Sequence, residues 1–198
     1  MSSADRIKWN LDSLRREALK LLKPKRVAHV LGVEEAAVRL ARRYGEDEEL
    51  AAAAAMLHDC TKRLDKDEQL KLCRDYAIPV DSGELKSPQL LHAKTGAVIA
   101  QERFGMPECV CSAIRWHTTG RPNMTRLEKI IYLADMLEPN RDFPGVDELR
   151  ALAFEDLDAA MAKALESSVK SLRRREMNVY KDTLEAYRWY SRISEQEE

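Results

Sequence analysis

The chain has 198 residues, of which 34% are charged and 44% are hydrophobic, and its formal net charge is −1. This length suits one domain with a sizeable core, and the balance of 33 basic against 34 acidic residues gives no whole-chain reason to expect nucleic-acid binding. The longest apolar run, residues 50–57, is too short to cross a bilayer, so we expect no membrane segment.

The cysteine spacing and the first residues of the sequence bear on the cellular compartment in which we expect the protein. The four cysteines, at positions 60, 73, 109 and 111, form no C-x-x-C pair. The opening residues, MSSADRIKWNLDS, lack the apolar stretch that is typical of a secretory signal. We therefore expect reduced thiols and a cytoplasmic location.

Apolar residues spaced by three and four recur along almost the whole chain, which predicts helices throughout. In chain order, the predicted helices cover residues 5–22, 24 to about 45, 47–57, roughly 66–77, 88–105, 106–117, 125–139, 155–174 and 181–193. Gly45 and Gly105 are expected to end helices, and Thr125 with Glu128 predicts a capping box. Residues 81–88 and 140–145 are predicted loops.

The sequence therefore predicts an all-α fold, a bundle of about eight to ten helices, with no strand. No repeat or linker divides it, so we expect one domain over residues 1–198. Its core is expected to span about 20–150, with the C-terminal helices, about 151–193, packed on that core.

Histidine and aspartate supply the candidate chemistry. A single helical histidine is most often an ordinary core or surface residue, and a buried aspartate can be a cap or an ion-pair partner. The ordered set is more informative, because it contains every histidine in the chain: His29, His58, Asp59, His92, His117 and Asp135. Imidazole and carboxylate groups are ligands for Zn, Mn or Fe. Six of them, on separate helices, suffice for two metals with open positions.

These residues and their neighbours resemble the HD-domain metal-dependent phosphohydrolases, which are named after the His-Asp pair. Within that superfamily the similarity is to the YqeK-type branch, the symmetrical bis(5′-nucleosyl)-tetraphosphatases. The matching segments are R-V-A-H at 26–29, A-M-L-H-D-C-T-K at 55–62, L-L-H-A at 90–93 and the run from A-I-R-W-H-T-T-G to A-D-M-L-E-P-N-R at 113–141. The resemblance covers roughly residues 20–190 and implies an HD-domain helical bundle.

The resemblance also implies a two-metal centre. By this likeness, the first metal is held by His29, His58, Asp59 and Asp135. His92 and His117 would complete a second site, with Asp59 bridging the two cations. A water between two cations loses a proton near neutral pH and can act as a nucleophile. The likeness favours iron, although Mn, Zn, Co and Ni also suit the donor set.

Cationic and polar residues near these positions are candidates for substrate contacts. The resemblance assigns catalytic roles to Asp59, Lys62, His92 and His117. Substrate contacts are expected from Arg26, His29, Asp59, Lys62, His92, His117, Thr118, Asp135 and Arg141. A solvated side chain is the alternative for Arg26, Lys62 and Arg141, and a helix-ending turn is the alternative for Thr118. The basic run at residues 173–175 is more typical of a solvated helix face.

The activity implied by the resemblance is hydrolysis of diadenosine tetraphosphate to two ADP by an activated hydroxide. Its partners would be a dinucleoside polyphosphate, an ADP- or GDP-type product and a second copy of the chain in a homodimer. Three alternatives remain open. The chain could be an HD phosphohydrolase for another nucleoside mono- or polyphosphate or an alarmone, a non-catalytic nucleotide-binding HD protein, or a di-iron oxygenase. Product analysis and oxygen consumption distinguish them.

Overall fold

A computed structural model describes residues 10–194 and contains eleven α-helices in that range. They are α1 Leu11–Leu19, α2 Val27–Tyr44, α3 Glu48–Leu57, α4 Lys66–Asp75, α5 Ser82–Lys86, α6 Leu91–Phe104, α7 Glu108–Trp116, α8 Arg126–Leu137, α9 Val146–Glu155, α10 Leu157–Arg174 and α11 Lys181–Ser194. Residues 10–194 contain no strand, so the all-α prediction is confirmed. The first five residues of the helix predicted at 5–22 lie outside the described part of the chain.

Helix ends follow the expected local chemistry. Gly45 and Gly105 adopt left-handed backbone angles, with φ of 65° and 63°, directly after α2 and α6. That conformation costs a glycine little, so both helices end where predicted. The Thr125 side chain and Glu128 form a complete capping box at the start of α8. Asp47 accepts hydrogen bonds from two backbone N–H groups at the start of α3.

Two elements differ from the sequence prediction. Residues 82–86 form α5 inside the segment predicted as a loop, because Asp81 and Glu84 make a capping box there. Helix α9 follows the 140–145 loop and was not predicted, although Val146, Leu149 and Ala153 are buried at helical spacing. These two additions bring the count above the predicted eight to ten.

Helix α3 occupies the centre of the core. Its residues from Ala51 to Leu57 are all buried, with at most 1% of each residue exposed. The alanines allow close approach of neighbouring backbones, and α3 contacts α1, α2, α7 and α8. The chain leaves α3 at His58-Asp59, so these two residues emerge in the middle of the bundle.

The C-terminal helices pack on the same core. Lys129 on α8 pairs with Asp158 on α10 at 2.9 Å, and the backbone N–H of Met124 donates to the Tyr190 hydroxyl of α11 at 3.0 Å. Tyr190 is 1% exposed. Within residues 10–194, no helix combines the length and apolar character needed to cross a membrane.

Candidate metal centre

The six residues of the predicted metal set lie together at the end of α3. His58 and Asp59 follow α3 directly, and they are joined by side chains from four other helices or helix ends: His29, His92, His117 and Asp135. Their ligand atoms form three overlapping triads, each with all atoms within 4.8 Å of one another. The four imidazoles stand edge to face in a row, with ring centroids 5.0–5.5 Å apart. The fold thus gathers residues that are far apart in the sequence.

Asp59 lies in the middle of this cluster and is fully buried. Its Oδ2 is 3.4 Å from Nε2 of His58 and 3.9 Å from Nε2 of His29. Its Oδ1 is 3.3 Å from Nε2 of His92 and 3.9 Å from Nε2 of His117. Because each oxygen faces a different pair of histidines, this carboxylate has the placement required of a bridge between two cations.

Asp135 closes the cluster on the side of α8. Its Oδ1 is 3.1 Å from Nε2 of His29 and 4.0 Å from Nε2 of His58. It also belongs to the triad that contains His58 and His117. A carboxylate in the apolar run of α8 is costly to bury alone, and these imidazoles explain its position.

Hydrogen bonds at Nδ1 turn every imidazole toward the cluster. Nδ1 of His58 lies 2.6 Å from the carbonyl oxygen of Ala55, and Nδ1 of His117 lies 2.7 Å from that of Ile114. His92 makes the same contact with the carbonyl three residues before it. A carbonyl can only accept, so these Nδ1 atoms carry the hydrogen and each Nε2 keeps its lone pair. That is the tautomer a metal-binding histidine needs.

Burial favours the neutral form of three of these rings, His58, His92 and His117. Loss of hydration lowers the pKa of His58 well below its ordinary value, and it lowers the pKa of His92 and of His117 to about 3. Three cluster atoms, Nε2 of His29, Nε2 of His58 and Oδ1 of Asp59, are buried without a hydrogen-bond partner among residues 10–194. Buried polar atoms normally have partners, so neutral imidazoles and orphaned donor atoms fit a metal-binding cluster.

The three predicted cations reach the cluster's carboxylates. The Arg26 guanidinium contacts Oδ2 of Asp59. Nζ of Lys62 lies 3.3 Å from Oδ1 of Asp59, and burial lowers the pKa of this lysine to about 8. Arg141 donates to Oδ1 of Asp135 at 2.8 Å. All three side chains therefore contact a carboxylate of the cluster, while those of Lys62 and Arg141 stay 38% and 39% exposed.

Thr118 also lies at the cluster, whereas the neighbouring tryptophan, Trp116, packs elsewhere. The Thr118 hydroxyl is 3.0 Å from Nε2 of His117 and 3.3 Å from Nε2 of His92. The Trp116 ring packs against the hydrophobic core, with the Arg115 guanidinium 4.3 Å from its centroid. Thr118 can therefore contact a group bound at the cluster, and Trp116 has a packing role.

Sequence reasoning missed Glu138, which is 2% exposed. Its Oε1 lies 3.2 Å from Nδ1 of His29, so it replaces the backbone carbonyl that orients the other three imidazoles. Its Oε2 accepts hydrogen bonds from the backbone and side-chain nitrogens of Asn140. Glu138 lies in the A-D-x-x-E-P-x-R segment, and its burial between two helix ends could not be read from that pattern.

A second missed group anchors the turn after α3. The Thr61 hydroxyl donates to the carbonyl of His92 at 3.0 Å and lies 2.9 Å from the Thr95 hydroxyl. Gln69 completes the set, accepting from Thr95 at 2.6 Å and donating to the Thr61 carbonyl at 2.8 Å. This network ties the turn that carries Asp59 to α6, which carries His92.

A cavity of about 240 Å³ opens beside the cluster. Lys62, His117, Thr118, Asp135 and Arg141 line it. The position of these cationic and hydroxyl groups around the metal-binding atoms suits an anionic ligand.

Comparison with known proteins agrees with this geometry. The HD domain family matches residues 26–140, which contain the six cluster residues. The chain belongs to the HD domain family. The resemblance stated from the sequence is thereby confirmed.

Relatives match nearly the whole chain. A protein of Halalkalibacterium halodurans named bis(5′-nucleosyl)-tetraphosphatase, symmetrical, is 44% identical over 87% of this chain and 95% of its own length. A Bacillus subtilis protein of the same name is 40% identical over 88% of this chain and 96% of its length. The crystal structure of a Clostridium acetobutylicum protein, described as a predicted HD superfamily hydrolase involved in NAD metabolism, has a TM-score of 0.88 and 39% identity and covers 94% of this chain and 98% of its own.

Proposed function

We propose that this HD-domain protein hydrolyses diadenosine tetraphosphate at its centre and releases two molecules of ADP. The observation that carries the proposal is the cluster of four histidines and two aspartates with cationic side chains at its edge. Such a combination suits a polyphosphate better than a neutral ester, because the cations balance phosphate charge. The names of the Halalkalibacterium and Bacillus relatives support the substrate.

The proposal includes two metal ions, with iron favoured and Mn, Zn, Co or Ni as alternatives. His29, His58, Asp59 and Asp135 would hold the first ion. His92 and His117 would hold the second, with Asp59 bridging. A bound cation pair supplies Lewis-acid stabilisation of phosphoryl charge and lowers the pKa of a water molecule. The two carboxylate oxygens of Asp59 support this division of ligands, because Oδ2 lies near His58 and Oδ1 lies near His92.

The chain's own residues bind and orient the phosphates. We assign Lys62 and Arg141 to phosphate oxygens, since both line the cavity beside the cluster. Arg26 contacts the nucleotide from the Asp59 side. The Thr118 hydroxyl can donate to a phosphate oxygen from its place beside His92 and His117. These contacts hold the central anhydride at the cluster. There the oxygen of a water molecule bonds to one central phosphorus, the bond from that phosphorus to the bridging oxygen breaks, and the other ADP leaves with the bridging oxygen.

The same proposal takes residues 1–198 as one HD domain. It places the protein in the cytoplasm as a homodimer, and it allows GDP-type products as well as ADP. Ion pairing between Lys129 and Asp158 supports the one-domain organisation, because it joins α8 of the site to α10. The location is supported by four free cysteines within residues 10–194. The homodimer and the GDP-type product rest on the family resemblance.

The test combines metal analysis of the purified protein with chromatography of products from diadenosine tetraphosphate. The proposal predicts about two metal ions per chain, ADP formation, and loss of activity with a chelator that is restored by metal. A metal-loaded sample that cleaves only other nucleotides would support the alternative HD phosphohydrolase function. Oxygen consumption without phosphate release would support the oxygenase alternative.

A further inference from the structure

Arg150 on α9 holds the turn that follows α8. Its guanidinium donates hydrogen bonds to three backbone carbonyls, which belong to Leu137 at 2.9 Å, Glu138 at 2.9 Å and Arg141 at 2.8 Å. The N–H donors of a guanidinium form a rigid planar fork, so one side chain can reach several acceptors at once. Arg150 thus joins both ends of the 138–141 turn to α9.

The turn needs these donors because α8 ends there. The chain leaves the helix at Glu138, whose φ is −53° and whose ψ is 154°. The last carbonyls of a helix have no donor within the helix, and Pro139 has no N–H to offer. Arg150 donates to the carbonyl at the end of α8, and its positive charge also suits the negative end of the helix dipole.

The backbone of Arg141 is held from both sides. Its N–H donates to the carbonyl of Glu138 at 2.9 Å, and its own carbonyl accepts from Arg150. The Arg141 guanidinium then reaches back to Asp135, where it donates to the backbone carbonyl at 3.0 Å and to Oδ1 at 2.8 Å. The place of this guanidinium at the cavity beside the cluster therefore depends on where Arg150 fixes the turn.

Arg150 itself lies away from that cavity. It lines a separate cavity of about 450 Å³ with Ala36 and Phe154, and within the described part of the chain the two cavities share no lining residue. Arg150 also pairs with Asp147 at 2.7 Å, but the Asp147 side chain is 87% exposed. Exposed pairs of this kind contribute little, so the carbonyl contacts give Arg150 its role.

Arg141 depends on Arg150 more than Glu138 does. The Glu138 carboxylate is buried, and Asn140 fixes it through two hydrogen bonds within the turn. The Arg141 side chain is 39% exposed, and the chain after it continues into the 142–145 loop. A turn released from α9 would therefore misplace Arg141 first.

We infer that Arg150 is a positioning residue for phosphate binding, which acts by fixing the turn that places Arg141. This inference rests on the proposed function, because that function assigns Arg141 to a phosphate oxygen. Arg150 itself contacts neither the substrate nor a metal ligand side chain in this assignment.

A double-mutant cycle tests the inference, with Arg150→Met, Arg141→Met and the variant that carries both. Calorimetric titration of the metal-loaded proteins with ADP, the expected product, gives a Kd for each. We expect Arg150→Met to raise the Kd about tenfold, because a misplaced Arg141 loses a charge-assisted hydrogen bond to phosphate. In the Arg141→Met background the same substitution should leave the Kd unchanged, since two residues that act through one contact are not additive.

Asp147→Asn is the matched control, because it removes only the exposed ion pair of Arg150 and should leave the Kd unchanged. If Arg150→Met does not fold, Arg150→Lys replaces it in the cycle, since lysine keeps the charge but lacks the planar fork. Metal content should be the same in every variant.

An unchanged Kd in Arg150→Met would overturn the inference. Equal increases in both backgrounds would also overturn it, because a general loosening of the fold acts whether or not Arg141 is present. A Kd that rises as much in Asp147→Asn would contradict the role of the carbonyl contacts, and lower metal content in Arg150→Met would place its effect at Glu138 and His29 instead. If the metal-loaded unmodified protein leaves diadenosine tetraphosphate intact, the proposed function fails, while the ADP titrations still decide the role of Arg150.

Discussion

Glu138 contacts the imidazole of His29 on the side away from the cluster, with Oε1 of the carboxylate 3.2 Å from Nδ1 of the ring. The other oxygen of Glu138 is fixed by two hydrogen bonds from Asn140. A carboxylate acceptor at Nδ1 keeps the hydrogen there, so Nε2 faces the two aspartates with its lone pair. His29 is thus the one cluster histidine whose Nδ1 contacts a side-chain carboxylate and not a backbone carbonyl.

Replacing this carboxylate should weaken metal binding. Partners of this kind contribute roughly 10- to 100-fold to metal affinity, so Glu138→Gln should lower metal affinity about tenfold or more while the protein stays folded. Equilibrium titration with a divalent metal measures the change, and Glu148→Gln on the exposed face of α9 is the control. Equal affinity in Glu138→Gln and the unmodified protein would show that Glu138 does not position His29.

Gly32 on α2 makes room for Glu138. A Cβ atom at position 32 would lie 2.5 Å from Oε2 of Glu138, too close for any real contact. Gly32→Ala should therefore displace the Glu138 carboxylate and cost about 1–3 kcal/mol in the free energy of unfolding. At Gly96 a Cβ would meet its nearest atom at an ordinary 3.4 Å, so Gly96→Ala should be neutral or stabilising. Denaturant unfolding compares them, and equal destabilisation by both substitutions would contradict this account.

The second metal should depend on His92 and His117. Their Nε2 atoms lie 3.1 Å apart and face Oδ1 of Asp59. His92→Ala or His117→Ala should lower metal content from about two ions per chain toward one and reduce turnover strongly, because charge stabilisation of the transition state is lost. Elemental analysis checks the stoichiometry. An unchanged metal content in both variants would indicate that these imidazoles contact the substrate instead.

Phosphate binding should depend on Lys62 and Arg141. Removal of one charge-assisted hydrogen bond costs roughly 1.5–3 kcal/mol. Lys62→Met or Arg141→Met should therefore lower kcat/KM by about tenfold to a hundredfold while metal content is retained. Arg63→Met, at the exposed neighbour of Lys62, is the matched control. If kcat/KM falls equally in the control, the loss cannot be assigned to phosphate contacts.

Much of the site could be anticipated because its residue types are rare in this chain. All four histidines belong to the cluster, and Asp135 interrupts an apolar helical run. The role of Glu138 could not be anticipated, because His29 lies 109 positions away and only the packing of α2 against the end of α8 joins them.

Product analysis at early times in ¹⁸O-labelled water is the most direct test of the central claim. The metal-loaded protein should convert diadenosine tetraphosphate to ADP alone, with label in the terminal phosphate of one ADP of each pair. That result requires cleavage of the central anhydride by water. AMP and ATP in equal amounts would contradict symmetrical hydrolysis, because the broken anhydride would then join an α-phosphate to a β-phosphate.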